Sequence, residues 1–223
     1  MVTEIEKMWQ LVAVSQDSVL ELRALWPKGI GENRAPVFRH FIAANYSSKS
    51  KMKEAVQTAA LDLNRQGFNV YIVMNPIRSD FTGPGCARDT DIIYRDLLLI
   101  DIDRLGDTSQ PANQEELDEA NALARVIEQA LSDEGWGQPI KMMSGNGFHL
   151  YFVLDDVPND EESTALIRDT LLNLAEQFNT ATVGIDTTVS NASRITKVPG
   201  TIMRKGIETA DRPYRMARVV ESE

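Results

Sequence analysis

Asp101 and Asp103 close the run LLLIDID, and their spacing sets what they can do. Side chains alternate across a strand, so two residues two apart share one face while Ile100 and Ile102 take the other. Adjacent like charges after an apolar run repel each other unless a cation or water neutralises them, which makes the pair a candidate divalent-metal site. A solvated strand end is the plainer alternative, since strands often finish on Asp before a turn. A second cluster is SGNGFH, residues 144–149. There Gly145 and Gly147 let the backbone turn N–H groups toward an anion, and His149 can hydrogen-bond a phosphate oxygen. A glycine hairpin followed by a structural histidine would be written in the same residues. Downstream, Asp186 stands in VGIDTTV, and Arg194 and Lys197 follow in RITKVPGT. Singly, that aspartate reads as a turn or cap residue and the cations as surface charge. Jointly, an acidic pair, a glycine-histidine turn, a third acid and cations supply what two-metal nucleotidyl transfer needs: carboxylates for the ions, cations and N–H groups for a triphosphate.

The elements that must position these groups alternate in type. Residues 36–44 read as a strand and 51–66 as a helix with Met52, Val56, Ala59, Ala60 and Leu63 at helical spacing, ended by Gly67. A strand over 69–75 leads into a loop with Pro76, Gly83, Pro84 and Gly85 that separates two lobes. Next come a buried strand over 96–103 and a helix to about 134, opened by a capping box of Asn113 and Glu116. Strands over 139–143 and 148–154 follow. On the second, Leu150, Phe152 and Leu154 form the core face, so His149 and Tyr151 face the other way. Asn159 with Glu162 opens a helix carrying Ile167, Leu171, Leu174 and Phe178, and one or two strands occupy 194–220. Strand, helix, two strands, helix, strand is the order of a split βαβ sheet. The expected class is α+β, a single domain over 1–223. An N-terminal αβ lobe, roughly 1–85, packs on an RNA-recognition-like (ferredoxin-like) catalytic lobe, roughly 86–220.

Composition narrows the chemistry further. The 223 residues include one cysteine and two histidines, so an internal disulfide and a Cys/His zinc tetrad are excluded and any metal must sit on oxygen ligands. No apolar run is long enough to span a membrane and the acidic start MVTEIEKMW does not resemble a secretory signal, which predicts a cytoplasmic protein without a membrane partner. The net charge of -10 looks hostile to nucleic acid, but it is segregated. From Asp101 to Asp169 there are sixteen acidic and four basic side chains, whereas Arg194 to Arg218 holds seven basic and two acidic. Most acidic stretches read as solvated helix faces. The basic segment, with Arg204, Lys205, Arg212, Arg215 and Arg218, is broken by Gly and Pro and is a candidate dock for a phosphate-bearing partner. Trp9 and Trp26 read as packing residues rather than base-stacking platforms.

LLLIDID, SGNGFHLYF and GIDTTVSNASRITKVPGT, in that order, resemble the three motifs of the archaeo-eukaryotic primase superfamily, particularly the primase-polymerase domains of plasmid and phage replication proteins. The resemblance runs from about Pro36 to Arg218. It implies a DNA-directed primase and DNA polymerase, a nucleotidyltransferase that makes short primers from nucleoside triphosphates on a single-stranded DNA template with Mg2+ or Mn2+. It implies Asp101, Asp103 and Asp186 as catalytic metal ligands. Nucleotide contacts would come from Ser144, Gly145, Gly147, His149, Arg194 and Lys197. Asn191 and Lys205 belong to the third-motif neighbourhood, and Arg204, Lys205 and Arg215 are candidate template or phosphate contacts. Met203 departs from an asparagine that many relatives carry shortly after PGT. No Walker A pattern occurs, so a helicase is expected as a separate replication partner.

Two other classes fit parts of the pattern. A haloacid-dehalogenase-like phosphatase also places Asp-x-Asp at a strand end, but its usual Thr or Val two positions after the second Asp is Leu105 here, and it has no place for SGNGFH. A non-catalytic nucleic-acid-binding replication module on the same fold would need no three carboxylates.

Overall fold

A computed structural model describes residues 2–220. After a 3-10 helix at Glu4–Gln10 come β1 (Val19–Leu25), β2 (Val37–Ile42), α1 (Lys49–Arg65) and β3 (Asn69–Val73). The chain continues through β4 (Tyr94–Arg104), α2 (Gln114–Asp133), β5 (Ile140–Met143), β6 (Phe148–Pro158), α3 (Glu161–Phe178) and β7 (Val183–Ile185). Four short strands follow: β8 (Ile195–Lys197), β9 (Ile202–Met203), β10 (Arg215–Met216) and β11 (Arg218–Val220). Among the described residues no helix is long and apolar enough to cross a membrane.

Local chemistry accounts for the helices. The Ser48 hydroxyl accepts the Lys51 N–H at 3.2 Å to start α1, whose Met52, Val56, Ala60 and Leu63 are buried against β1 and β3. The expected box at α2 is present: Asn113 accepts the Glu116 N–H at 2.9 Å and Glu116 accepts the Asn113 N–H at 2.8 Å. At α3 the cap is Asp160, not Asn159, and it accepts the Ser163 N–H at 2.8 Å. The Asn159 amide instead donates to the Asp89 and Ile92 carbonyls, a task that the acceptor-only Asp160 carboxylate cannot do.

β4, α2, β5, β6, α3 and β7 form the split βαβ unit, with antiparallel order β5-β6-β4-β7 and β11 added beside β5. The α+β class and the RNA-recognition-like order are therefore as the sequence predicts. A second antiparallel sheet runs β2-β1-β3-β8, and β9 pairs with β10. β8 completes that sheet by pairing Lys197 with Tyr71 on β3, so the two lobes are not consecutive segments divided near residue 86. One continuous apolar cluster joins α1, β1 and β3 to β4, β6, α2 and α3. Both faces of the β4–β6 pair are consequently buried. Leu98, Ile100, Ile102, Leu150 and Phe152 lie on one, and Leu99, His149 and Tyr151 on the other.

The basic segment is largely spent on the fold, contrary to its expected openness. Arg212 binds the Glu116 carboxylate at 2.7 and 2.9 Å and the Pro111 carbonyl at 2.8 Å, while Arg104 reaches the same carboxylate at 2.6 Å. Arg215 donates to the Ala112 carbonyl at 2.5 Å. Hydrogen bonding from Arg212 above all, against partial burial, and then the Asn113 N–H and Arg104, lowers the Glu116 carboxyl from 4.5 to about 2. A lowered folded value stabilises the protein above pH 4.5, and that contribution is lost as pH falls toward about 2. Glu116→Gln is expected to lower stability at neutral pH by about 2 kcal/mol and to flatten the acid limb. Urea midpoints across pH would measure both effects.

Candidate active site

β4 runs Asp101 and Asp103 out of the core on one face, and the register sets His149 of β6 opposite Asp101. The His149 Nε2 lies 3.2 Å from Asp101 Oδ1. On the other side of β4, the Asp186 N–H donates to the Asp101 carbonyl at 2.8 Å, just beyond the end of β7. The third acid is thus beside the first two, yet its carboxylate is occupied. Asp186 Oδ1 accepts the Thr188 N–H and hydroxyl at 2.8 and 2.7 Å, and Oδ2 approaches Arg194 at 3.7 Å. Among the described residues no three or more His, Cys, Asp or Glu side chains are gathered as a metal cage.

Two buried side-chain atoms at this place, Asp103 Oδ1 and Arg194 Nε, have no hydrogen-bond partner, and two more, Asp101 Oδ1 and His149 Nε2, face each other at 3.2 Å without an aligned hydrogen bond. Only one other such atom, Arg95 Nε, occurs among the described residues. Buried polar groups are nearly always satisfied, so the cluster marks capacity held for something else. Its donor set suits a hard divalent cation, because Mg2+ is typically held by one or two carboxylates completed by phosphate oxygens and water rather than by an all-protein cage.

The two carboxylates are held unequally. Burial is the largest influence on Asp101 and pushes its carboxyl up, but the nearby His149, Lys197 and Arg194 together outweigh it and hold Asp101 well below the usual range. Asp103 goes the other way, raised by burial and by the Asp101 charge against weaker relief from Lys197, His149 and Lys205. Lys205 is lowered by burial, with Asp103 opposing. Lys197 and Lys205 therefore lie within the electrostatic reach of the acid pair. Arg204 sits just before it, its backbone gripped at N–H and carbonyl by the Asn69 side chain, both at 2.8 Å.

The glycine-histidine turn differs from expectation. Ser144 is fully buried, its hydroxyl accepts the Gly147 N–H at 3.1 Å, and the Gly145 N–H points to Met143 Sδ at 3.0 Å. Those N–H groups are consumed inside the turn instead of forming an anion cradle. The glycines have a steric role. Gly145 has φ +106°, with a would-be Cβ 2.7 Å from the Cβ of Met203. At Gly147 a Cβ would lie 2.2 Å from the Ile102 carbonyl oxygen and 2.3 Å from Asp103 Oδ1. Only glycine lets this turn close against the acid-bearing strand. Arg215, bound to backbone carbonyls, is a strut rather than an open phosphate contact.

Several positioning groups were not anticipated. The segment from Asp186 to Arg194 is fastened by Arg95 to the Ser190 carbonyl at 2.8 Å, by Asn75 to the Ala192 carbonyl at 2.8 Å and by Asp89 to the Ser193 N–H at 2.7 Å. A sequence signal existed for the first, since Arg95 precedes an apolar strand core and is 3% exposed. Tyr71, opposite Lys197, also faces this charge cluster: burial raises its hydroxyl, Lys197 opposes, and Asp101 and Asp103 add a smaller push upward.

Because its folded carboxyl is raised, ionised Asp103 costs the protein stability at neutral pH, and that cost vanishes as pH falls through the folded value. Asp103→Asn in divalent-free buffer is therefore expected to raise the thermal midpoint by a few degrees. A scanning calorimeter would read the shift, and a lowered midpoint would contradict this account.

No protein-family model matches the chain, and no curated protein matches it. Solved structures do. The AEP domain of the primase-polymerase from cyanophage S-2L superposes with a TM-score of 0.53 at 17% identity, covering 99% of this chain and 89% of that one. The polymerase domain of Mycobacterium tuberculosis Ligase D, solved with DNA, superposes with a TM-score of 0.50 at 16% identity, over 92% of this chain and 78% of that one. The agreement, over most of both chains, shows that this chain shares the fold of these two domains.

Proposed function

We propose that this chain is a primase-polymerase, a nucleotidyltransferase that joins nucleoside triphosphates into short primers on a single-stranded DNA template. The observation that carries the reading is the cluster of buried polar atoms without an aligned hydrogen bond on Asp101, Asp103, His149 and Arg194. Asp101 and Asp103 would hold Mg2+ or Mn2+, and Asp186, adjacent through its backbone bond to Asp101, would join them once its carboxylate leaves Thr188. When bound, such ions neutralise triphosphate charge and favour attack by a 3′-hydroxyl with loss of pyrophosphate. His149 Nε2 and Arg194 Nε would meet triphosphate oxygens, while Lys197 and Lys205 would add positive potential beside the acid pair. Arg204 is left as the template or phosphate contact of the basic segment. The likeness to a phage primase-polymerase and to a polymerase domain bound to DNA supports the reading. In this view the chain serves plasmid or phage replication beside a separate helicase or replication protein.

A purely binding module has no use for a buried acid pair in which burial, and then the Asp101 charge, raises Asp103. The test is incubation with unprimed single-stranded DNA, labelled triphosphates and Mn2+, with short products resolved on a gel. Asp101→Asn and Asp103→Asn are each expected to cut synthesis at least about a hundred-fold while the variants remain folded. Product at wild-type level from either one would refute the assignment.

A further inference from the structure

The two faces of the β5–β6 pair meet different surroundings. His149 takes the face of the acid pair, and its neighbour Phe148 takes the other, toward α2. β11 extends that second face, with Arg218 paired to Met143 and Val220 to Lys141. Between α2 and these strands lies an open groove with a volume of about 400 Å3. Met143, Phe148 and Val220 make its floor, and its long wall is the α2 stretch from Asn121 to Ser132, about 16 Å of helix. A stacked strand of nucleic acid advances about 3.4 Å per nucleotide, so the wall is several nucleotides long.

The charge in the groove is unbalanced. Glu128 is the one carboxylate in its lining among the described residues, and it is neutralised by Lys141, whose ammonium lies 2.7 Å from Glu128 Oε2 and 5.7 Å from the Phe148 ring centroid. Arg125 on α2 and Arg218 on β11 are exposed on opposite walls, and among the described residues neither guanidinium is bonded to another group. In a chain of net charge -10, two uncommitted guanidiniums facing one groove are a local exception. One end of the groove also reaches the acid pair. Met143 and Phe148 flank the 144–147 turn, and Gly147 of that turn is pressed against Asp103, where a Cβ would lie 2.3 Å from Oδ1. Asn146 fixes the turn to the start of α2 by accepting the Ala112 N–H at 3.0 Å.

We propose that this groove holds the phosphodiester backbone of single-stranded DNA, with Arg125 and Arg218 meeting phosphates from its two walls, and leads the template around the 144–147 turn to the acid pair. The proposal rests on the reading of the chain as a template-dependent polymerase. A positive groove that follows the backbone holds a single strand without reading its sequence. It gives Arg218 a task that Arg212 and Arg215, bound to Glu116 and to backbone carbonyls, do not have.

Fluorescence anisotropy of a labelled oligodeoxythymidylate, recorded without divalent ions or triphosphates at several salt concentrations, reads these contacts directly. Arg125→Ala and Arg218→Ala are each expected to weaken binding about five-fold and to flatten the log–log salt dependence by about 0.7. Their thermal midpoints should match wild type, since both side chains are exposed. Arg168→Ala removes the same charge from the exposed face of α3 and is expected to bind like wild type. Wild-type affinity in both groove variants, or an equal loss in Arg168→Ala, would overturn the proposal. So would groove variants that bind the oligonucleotide normally but lose a labelled nucleoside triphosphate, because the groove would then take a free nucleotide. Should wild type make no product while the groove variants still lose DNA affinity, the polymerase reading fails and the groove stands as a DNA site.

Discussion

Two carboxylates forced onto one face of one strand are the constraint around which the site is organised. The period of a strand puts Asp101 and Asp103 side by side, and the apolar stretch before them brings the pair to the edge of a dry core. Charge in such surroundings must be answered locally. The answer is uneven: His149, Lys197 and Arg194 favour the charged form of Asp101, while Asp103 carries the repulsion. A natural sequence that only needed a strand end could have placed Asn or Ser at either position. Keeping both acids, with an oxygen of each lacking an aligned hydrogen bond, is the mark of a site that completes itself by binding.

That charge balance depends on both sheets. The acids and the imidazole belong to β4 and β6, whereas Lys197 belongs to β8 and Arg194 immediately precedes it. β8 is only three residues long and lies at a sheet edge, so its own pairing with β3 is a weak anchor. Side chains supply the rest. Asn75, Asp89 and Arg95 fix the approach to it, and Asn64 and Asn69 each grip both backbone groups of a residue beyond it, at Ile202 and Arg204. Amides are suited to this task because one side chain both donates and accepts, and can therefore mimic a strand partner. The basic segment then folds back over the 110–112 turn, where Glu116 neutralises Arg104 and Arg212. Much of the positive charge near the C-terminal end is consequently structural.

What the sequence made legible follows the regularity of the pattern. α1 and β6 were readable because their apolar residues repeat with one period, α2 because of its capping box, and β4 because of its uninterrupted apolar run. β1 was not, since VLELRAL contains Glu21, a residue that argues against a buried strand. It is 0% exposed only because Arg23, His40 and the Ala87 N–H all bind its carboxylate. Arg23 is two residues away on the same strand, but His40 and Ala87 are distant in sequence, so no local window could reveal them. β7 and β8 have three residues each and exist through pairing, not through propensity. At the site, the three acids, His149 and Arg194 were singled out by their combination and by the resemblance, since each alone reads as well as a turn, cap, structural or surface residue. An anion nest and a plain glycine hairpin are written in the same residues of the turn, and that Ser144 accepts the Gly147 N–H is invisible without coordinates.

The likeness to two polymerase structures at 17% and 16% identity makes the same point from the other direction. At such distance, superposition speaks for the path of the chain, and chemistry has to be argued from particular atoms. Here the two converge on one place. The fold delivers a strand end, a hairpin and the edge of a second sheet to a common point. This sequence spends its least affordable groups there: two adjacent carboxylates, a buried imidazole and a half-buried guanidinium, each with a polar atom lacking an aligned hydrogen bond. Elsewhere among the described residues one buried side-chain nitrogen, Arg95 Nε, lacks a partner, although the same guanidinium reaches across ninety-five residues to the Ser190 carbonyl. Buried polar groups left without aligned hydrogen bonds at one point are a physical reason to expect that a ligand completes them there.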